Sequence, residues 1–403
     1  MQKTYKVTVI GDIMSEPSLF AQAKRENGYD YTPVFENMKK LFSEADYVIG
    51  NLETPMAGEE AGYTKELVSF NTPDAIAYAV KDCGVDMVST ANNHALDRGI
   101  DGLRRTLKVL DEVGLAHTGT YDQGDCRDRI HYFTLGDTRL AVIAYTASTN
   151  GYDVPDPESI DRLCVNRIRP NKGLAPVMPK SAVLTDTRKF VEGLLGRKLI
   201  WEENIALKRA THSQIAYADW ALEPEKYLPY VQQCAADLAE AKKNADLVLY
   251  LPHTGGQFNT EPGACSQYLC YRAVEDGADA VFAAHSHTTQ CMKFLLGKPV
   301  FYSLGNVTMS PVSVYSCRET LPDYGIAAHI YVSEKKIVKT SFSLFKMVED
   351  GNTPLYIIPV DELYEKLTDE KEKAKLVAET GAVWSRVTGR PEAEFVFGRE
   401  FDL

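Results

Sequence analysis

Four times along this 403-residue chain, an amphipathic stretch leads into an Ala-Asp or Val-Asp step, a short apolar run and then a polar cluster. The copies read ADYVIGNLE from Ala45, VDMVSTANNH from Val85, ADLVLYLPHTGG from Ala245 and ADAVFAAHSH from Ala278. An apolar run without alternation is what a strand buried on both faces requires. The stretches before them keep a helical period: Ile100, Leu103, Leu107, Leu110 and Val113 share one face, as do Leu228, Val231, Cys234, Leu238 and Ala241. Helices alternating with buried strands predict an α/β chain with a mostly parallel sheet, which binds its ligands beyond the carboxyl ends of the strands. The opening strand, YKVTVIGDIM, follows the same rule and ends at Asp12. Five strand ends are therefore expected to deliver acid, amide and imidazole groups to one edge of one sheet.

Elsewhere the rhythm changes. Residues from about 147 to 226 hold Pro155, Pro157, Pro170, Pro176 and Pro179 and few periodic runs; they predict an inserted lid or side wall, with helices around 186–196 and 200–210. Beyond Asn306, GIAAHIYVSEKKIVKTSFSLFKMV alternates like an antiparallel hairpin and predicts a second sheet. A charged helix from Asp361 to about Arg386 is expected as a surface appendage or oligomer contact. The domain reading is 1–350 as one body carrying the insertion, and 351–403 as a C-terminal extension with a helix.

Composition narrows the classes. Hydrophobic residues make up 44% and charged residues 25%, enough for a true core. No apolar run reaches the roughly 18 residues that a membrane span needs. No basic, apolar and small-residue leader precedes the first strand, so the expected location is cytoplasmic. Eight cysteines without a CxxC pair read as reduced, mostly buried side chains. A net charge of −12 argues against nucleic acid and anionic membrane as partners. Yet Asp161–Ala210 carries 11 Lys and Arg against 5 Asp and Glu, a local +6 that leaves −18 for the rest. Arg167, Arg169 and Lys172 are accordingly expected to steer an anionic polymer or a small anionic substrate.

Water-activating metals are held by carboxylate, imidazole and amide oxygen with positions left open. The strand ends supply that set: Asp12, Asn51 or Glu53, Asn93 with His94, His253, and the pair His285 and His287. A histidine beside an amide ligand, with Asp97 three residues on, can be kept charged and aimed as an acid.

The ordered strings GDIM, GNLETP, ANNHALDRG, HTGG, GADAVFAAHSHTTQ and YSLGN, across roughly residues 5–310, resemble the CapA-like proteins of bacterial capsule and poly-γ-glutamate synthesis. The resemblance implies a calcineurin-like metallophosphatase fold, a two-sheet β-sandwich flanked by helices. It also implies one or two divalent transition metals (Mn, Fe or Zn). Asp12 and His287 would hold one metal and Asn93, His253 and His285 the other. Glu53 would bridge them, His94 would act as acid with Asp97 orienting it, and a metal-bound hydroxide would attack a phosphoester or a γ-glutamyl or cell-wall amide. Met14 stands where such phosphatases usually place a histidine, Gln257 where CapA-like proteins often carry glutamate, and Ala284 and Ser286 where glycine and proline are usual. Two other readings stay open: a general metallophosphoesterase of a small phosphorylated metabolite, and a non-enzymatic polymer-binding scaffold with a degraded metal site.

Overall fold

The computed structural model describes residues 3–65, 69–122, 129–152, 165–177, 183–200, 203, 206–207, 219–313, 315–349 and 353–403. Strand β1 (Tyr5–Ile13) is buried along almost its whole length. Parallel to it run β2 (Tyr47–Leu52), β3 (Met87–Ser89) and β4 (Ala116–Thr118), joined through helices α1 (Ala75–Asp82) and α2 (Gly99–Val113). The hairpin of β5 (His131–Leu135) and β6 (Thr138–Thr146) opens a second sheet. Inside the insertion lies α3 (Val183–Leu195); most of the second helix expected there, 200–210, falls outside the described residues. Then come α4 (Pro224–Asn244), β7 (Leu247–His253), α5 (Ala264–Glu275), β8 (Ala280–Phe282), β9 (Met292–Leu295) and β10 (Lys298–Phe301). The chain closes with β11 (Tyr324–Ser333), β12 (Lys336–Val348), β13 (Tyr356–Pro359), α6 (Glu370–Thr388) and β14 (Phe401–Asp402).

The first sheet has the order β13-β12-β11-β1-β2-β3-β4, with β14 also on β12; the second has the order β9-β10-β8-β7-β6-β5. The architecture is thus a two-sheet sandwich flanked by helices, as the resemblance implies. It corrects the single mostly parallel sheet that periodicity predicts. An apolar run demands cover on both faces but does not say whether a helix or another sheet provides it. Here Val7, Val9, Ile49, Leu249, Phe282, Ile326 and Leu344 pack between the sheets. Ile10, Val48, Val80 and Leu110 face α1 and α2 on one outer side, while Val248, Val281, Leu238 and Leu269 join α4 and α5 on the other. The hairpin of β11 and β12 pairs with β1, so it extends the first sheet instead of founding a separate one. Nor is α6 an appendage: Leu376, Val383, Trp384 and Val387 sink into the inter-sheet core.

Close approach at one crossing point is what places the site. The peptide N–H of Asp12 donates to the Gly305 carbonyl at 3.0 Å. A Cβ on Gly11 would stand 1.9 Å from that same oxygen, so only glycine lets the two backbones meet. No helix among the described residues is long and apolar enough to cross a membrane, and all six cysteines among them are free.

His329 in β11 is fully buried between Thr8 Oγ1 (2.9 Å) and Ser343 Oγ (3.1 Å). Burial pushes its pKa down to about 3. Between about pH 6.5 and 3 the unfolded chain therefore binds a proton that the folded chain refuses, and stability falls as pH falls, by about 1.4 kcal/mol per unit for this one group. Denaturant midpoints measured across that window should show a shallower acid loss in His329→Gln than in the wild type. An unchanged slope would remove His329 as a cause of acid lability.

Candidate metal centre

Seven polar side chains meet where the carboxyl ends of both sheets converge. The first sheet brings Asp12 at the end of β1, Glu53 one residue past β2, and Asn93 and His94 in the turn after β3. The second sheet brings His253 at the end of β7, with His285 and His287 just past β8. The expected edge is therefore shared by two sheets, which corrects its placement on one. Parallel register sets the depths, with Asp12 opposite Asn51 and His253 opposite Thr146.

The distances define a tight centre. His253 Nε2 lies 2.7 Å from Asn93 Oδ1, 3.1 Å from His285 Nδ1 and 3.3 Å from Glu53 Oε1. Asp12 Oδ2 lies 3.4 Å from His287 Nδ1, and Asp12 Oδ1 lies 3.7 Å from His253 Nδ1. Glu53 Oε1 stands 3.7 Å from His287 Nε2 and 4.0 Å from His94 Nε2. Asn51 sits beside these groups and donates its amide to Asp12 Oδ1 at 2.7 Å. Two groupings have the spacing to hold a cation: Glu53 with His285 and His287, and Asp12 with Glu53 and His253. Glu53 is common to both, although the histidines are grouped differently from the partition that the resemblance implies.

Glu53 supplies the test of fit. Its carboxylate is fully buried, and neither oxygen accepts a hydrogen bond. A buried anion without donors costs several kcal/mol unless positive charge meets it. Part of that charge comes from His287: burial pushes its pKa down, but Glu53 and Asp12 outweigh this and lift it to about 9. His285 goes the other way, held well below the ordinary value by burial and by the neighbouring His253 and His287. Burial also pushes Asp12 up, yet His287, His253 and the Asn51 amide bring its pKa below the usual carboxylate value. Mixed nitrogen and oxygen donors around an acid with no donor of its own fit a divalent cation.

Both imidazoles of the His-Ser-His step sit on left-handed backbone, at φ 101° for His285 and 51° for His287. Non-glycine residues take such angles at a cost of about 1–3 kcal/mol, which surrounding bonds must hold. Asn306, in the turn after β10, meets His287 Nδ1 with its Oδ1 at 2.9 Å and donates to the His287 carbonyl at 2.8 Å.

His94 Nδ1 lies 2.6 Å from Asp97 Oδ2, which also accepts the Phe70 N–H. It borders a cavity of about 420 Å³ lined by Asn93, His94, His285 and His287 together with Met14, Glu16, Phe70, Tyr152, Trp220, Gln257 and Tyr315. Glu16, Phe70, Trp220 and Asn150 escape sequence reasoning because they lie outside the recurring unit. For Asn150, which contacts Asn93 at 3.1 Å, the only signal is the polar Ser-Thr-Asn stretch just after β6. The three basic residues expected to meet substrate do not line this cavity. Arg167 is buried against the Tyr230 ring and Arg169 against Trp220, which separates it from the cavity; Lys172 is exposed. Nearby, Arg188 and Lys198 share Glu192 and Arg197 pairs with Glu203, while Arg162, Lys180, Lys208 and Arg209 lie outside the described residues.

Comparison with known proteins places this arrangement among relatives. The family model described as bacterial capsule synthesis protein PGA_cap matches residues 6–310. The PGA biosynthesis protein CapA of Bacillus subtilis is 24% identical over 312 residues, covering 75% of this chain and 64% of the relative. The capsule biosynthesis protein CapA of Bacillus anthracis is 25% identical over 303 residues, covering 74% and 58%. The chain thus spans less than two thirds of the length of these curated relatives. Among solved structures, a putative 5'-nucleotidase from Staphylococcus aureus aligns over 93% of this chain and 57% of its own, with 14% identity and a TM-score of 0.44. A novel phosphatase from Mycoplasma pneumoniae aligns over 85% and 94%, with 12% identity and a TM-score of 0.42. With its ordered strand-end motifs all inside the matched segment, the chain belongs to the bacterial capsule synthesis protein family.

Proposed function

We propose that this chain is a metal-dependent hydrolase of capsule or poly-γ-glutamate metabolism, cleaving a phosphoester or a γ-glutamyl or cell-wall amide. The observation that carries the proposal is Glu53, a fully buried carboxylate with no hydrogen-bond donor among the described residues, set among the imidazoles of His253, His287 and His94, the last two at the cavity wall. In this reading Asp12, Glu53, Asn93, His253, His285 and His287 would hold one or two divalent transition cations. Such cations supply Lewis acidity and charge stabilisation. The chain itself supplies the proton: His94, fixed through Nδ1 by Asp97, presents Nε2 toward the centre and protonates the departing oxygen or nitrogen. Phe70 packs on the His94 ring at 4.3 Å between centroids and limits its rotation. The names of the Bacillus relatives point to a capsule polymer as the substrate's source.

One observation favours the rival scaffold reading with a single metal. Met14 is buried at the cavity wall with its peptide tied to Thr308, and it offers a thioether where an imidazole is usual. Elemental analysis of protein purified without chelator separates the two. Near two equivalents, lost in a His285→Ala, His287→Ala double variant, support the hydrolase. One equivalent supports the scaffold, and none, with no uptake of added manganese or zinc, sinks both metal assignments.

Metal uptake carries a pH signature. Below about pH 9 a cation must displace the proton on His287, so apparent affinity should rise up to tenfold per pH unit and level off above that value. Titrating Mn²⁺ at several pH values, in buffers of different ionisation enthalpy, counts the released protons; pH-independent affinity would contradict the assignment of His287. At a hundredfold excess over Kd the bound cation should add about 2.7 kcal/mol to folding stability.

If His94 is the acid, His94→Asn should lower kcat by about 10²–10⁴-fold with metal content intact. Phosphoester and γ-glutamyl amide substrates with activated leaving groups, which need no proton, should be spared most of that loss. An equal loss on both substrate types would remove His94 from the proton-transfer role.

A further inference from the structure

The strained loop that carries His287 is gripped from two sides. Asn306, inside the segment matched by the family model, holds one side through the His287 carbonyl and ring. The other side is held by Arg386 from α6, well beyond residue 310. All four hydrogen bonds of Arg386 come from Nη1: to Thr288 Oγ1 (3.2 Å), Thr289 Oγ1 (3.1 Å), Thr289 O (3.4 Å) and Thr320 O (2.7 Å). Thr288 and Thr289 directly follow His287, and Thr288 Oγ1 donates to that same Thr320 carbonyl at 2.8 Å. Burial pushes the guanidinium down to about 10, only partly offset by the charge of Glu261. Among the described residues no carboxylate forms an ion pair with Arg386. A half-buried cation whose bonds all go to one turn and the carbonyl beside it makes sense as a clamp on that turn.

We infer that Arg386 is a positioning residue of the metal centre, acting through Thr288 and Thr289 to hold His287, so that α6 is part of the site and not an accessory to the fold. The inference rests on the metal assignment proposed above. Groups that orient a ligand from behind typically change metal affinity by about 10–100-fold when removed. α6 is well anchored for this task, since Trp384 and Val387 on either side of Arg386 are core residues.

The test titrates Mn²⁺ alone into the full chain as wild type, Arg386→Leu, Arg386→Lys and Trp384→Phe. His287→Ala identifies which equivalent depends on that ligand. Arg386→Leu should weaken that equivalent about 10–100-fold and leave the other unchanged. Arg386→Lys, which keeps a cationic donor, should recover much of the loss. Trp384→Phe should lower Tm through packing without moving either affinity. Wild-type affinity in Arg386→Leu would overturn the inference alone. So would parallel weakening of all bound metal in Arg386→Leu and Trp384→Phe in step with Tm. Wild type that takes up no Mn²⁺ would overturn the inference together with the metal assignment.

Discussion

The Glu53 carboxylate organises the centre. It is wholly buried, receives no hydrogen bond, and has imidazoles of His253, His287 and His94 at 3.3, 3.7 and 4.0 Å. A charge placed this way cannot be neutral in its effect on the fold, because desolvation is repaid only by opposite charge close by. His287 answers by holding its proton to about pH 9, while His285, with no carboxylate so close, is driven toward the neutral ligand form. Two adjacent imidazoles of one loop are thus set to opposite protonation preferences by where each points.

Holding such a centre requires stiffness that a single sheet would not give. The two sheets bury their facing sides against each other, so the ends of β1 and β7 come within reach of one another and neither can slide without breaking the inter-sheet core. The contact of Asp12 N–H with Gly305 O, possible only because residue 11 is glycine, locks Asp12 to the turn after β10. Asp12 Oδ2 then accepts the His285 N–H at 3.1 Å, which couples it to the loop of the second sheet. Backbone strain at His285 and His287 is tolerated because these bonds fix the loop from several directions.

Much of this is readable in the sequence because strand-end chemistry is local. A buried apolar run followed by Asn-Asn-His or His-Ser-His states both its element and its exposed end within ten residues, and the ligand candidates fall where that logic puts them. What pairs with what is not local. The period of β7 and β8 is the same whether a helix or a sheet covers the second face, so periodicity puts on one sheet the strand ends that two sheets share. Charge misleads in a similar way. Arg167 and Arg169 count as positive residues in the chain, but both are buried, Arg167 over the Tyr230 ring and Arg169 over the Trp220 ring.

α6 shows the limit most clearly. Its sequence, dense in Lys and Glu over the first turns, reads as a solvated surface helix, and that half is indeed exposed. Its second half carries Val383, Trp384 and Val387 into the inter-sheet core, and Arg386 rides with them into contact with Thr288, Thr289 and Thr320. Nothing in the spacing of one arginine on a charged helix distinguishes a solvent-facing guanidinium from one that clamps a ligand loop about a hundred residues earlier. The packing of Leu376, Val383, Trp384 and Val387 together decides it, by fixing how the helix is rotated and so which side chain meets the loop. The metal centre then has a physical reason to depend on a segment beyond the one its motifs occupy: the strained turn at His287 has Asn306 on one side, and without α6 its other side would be left to water.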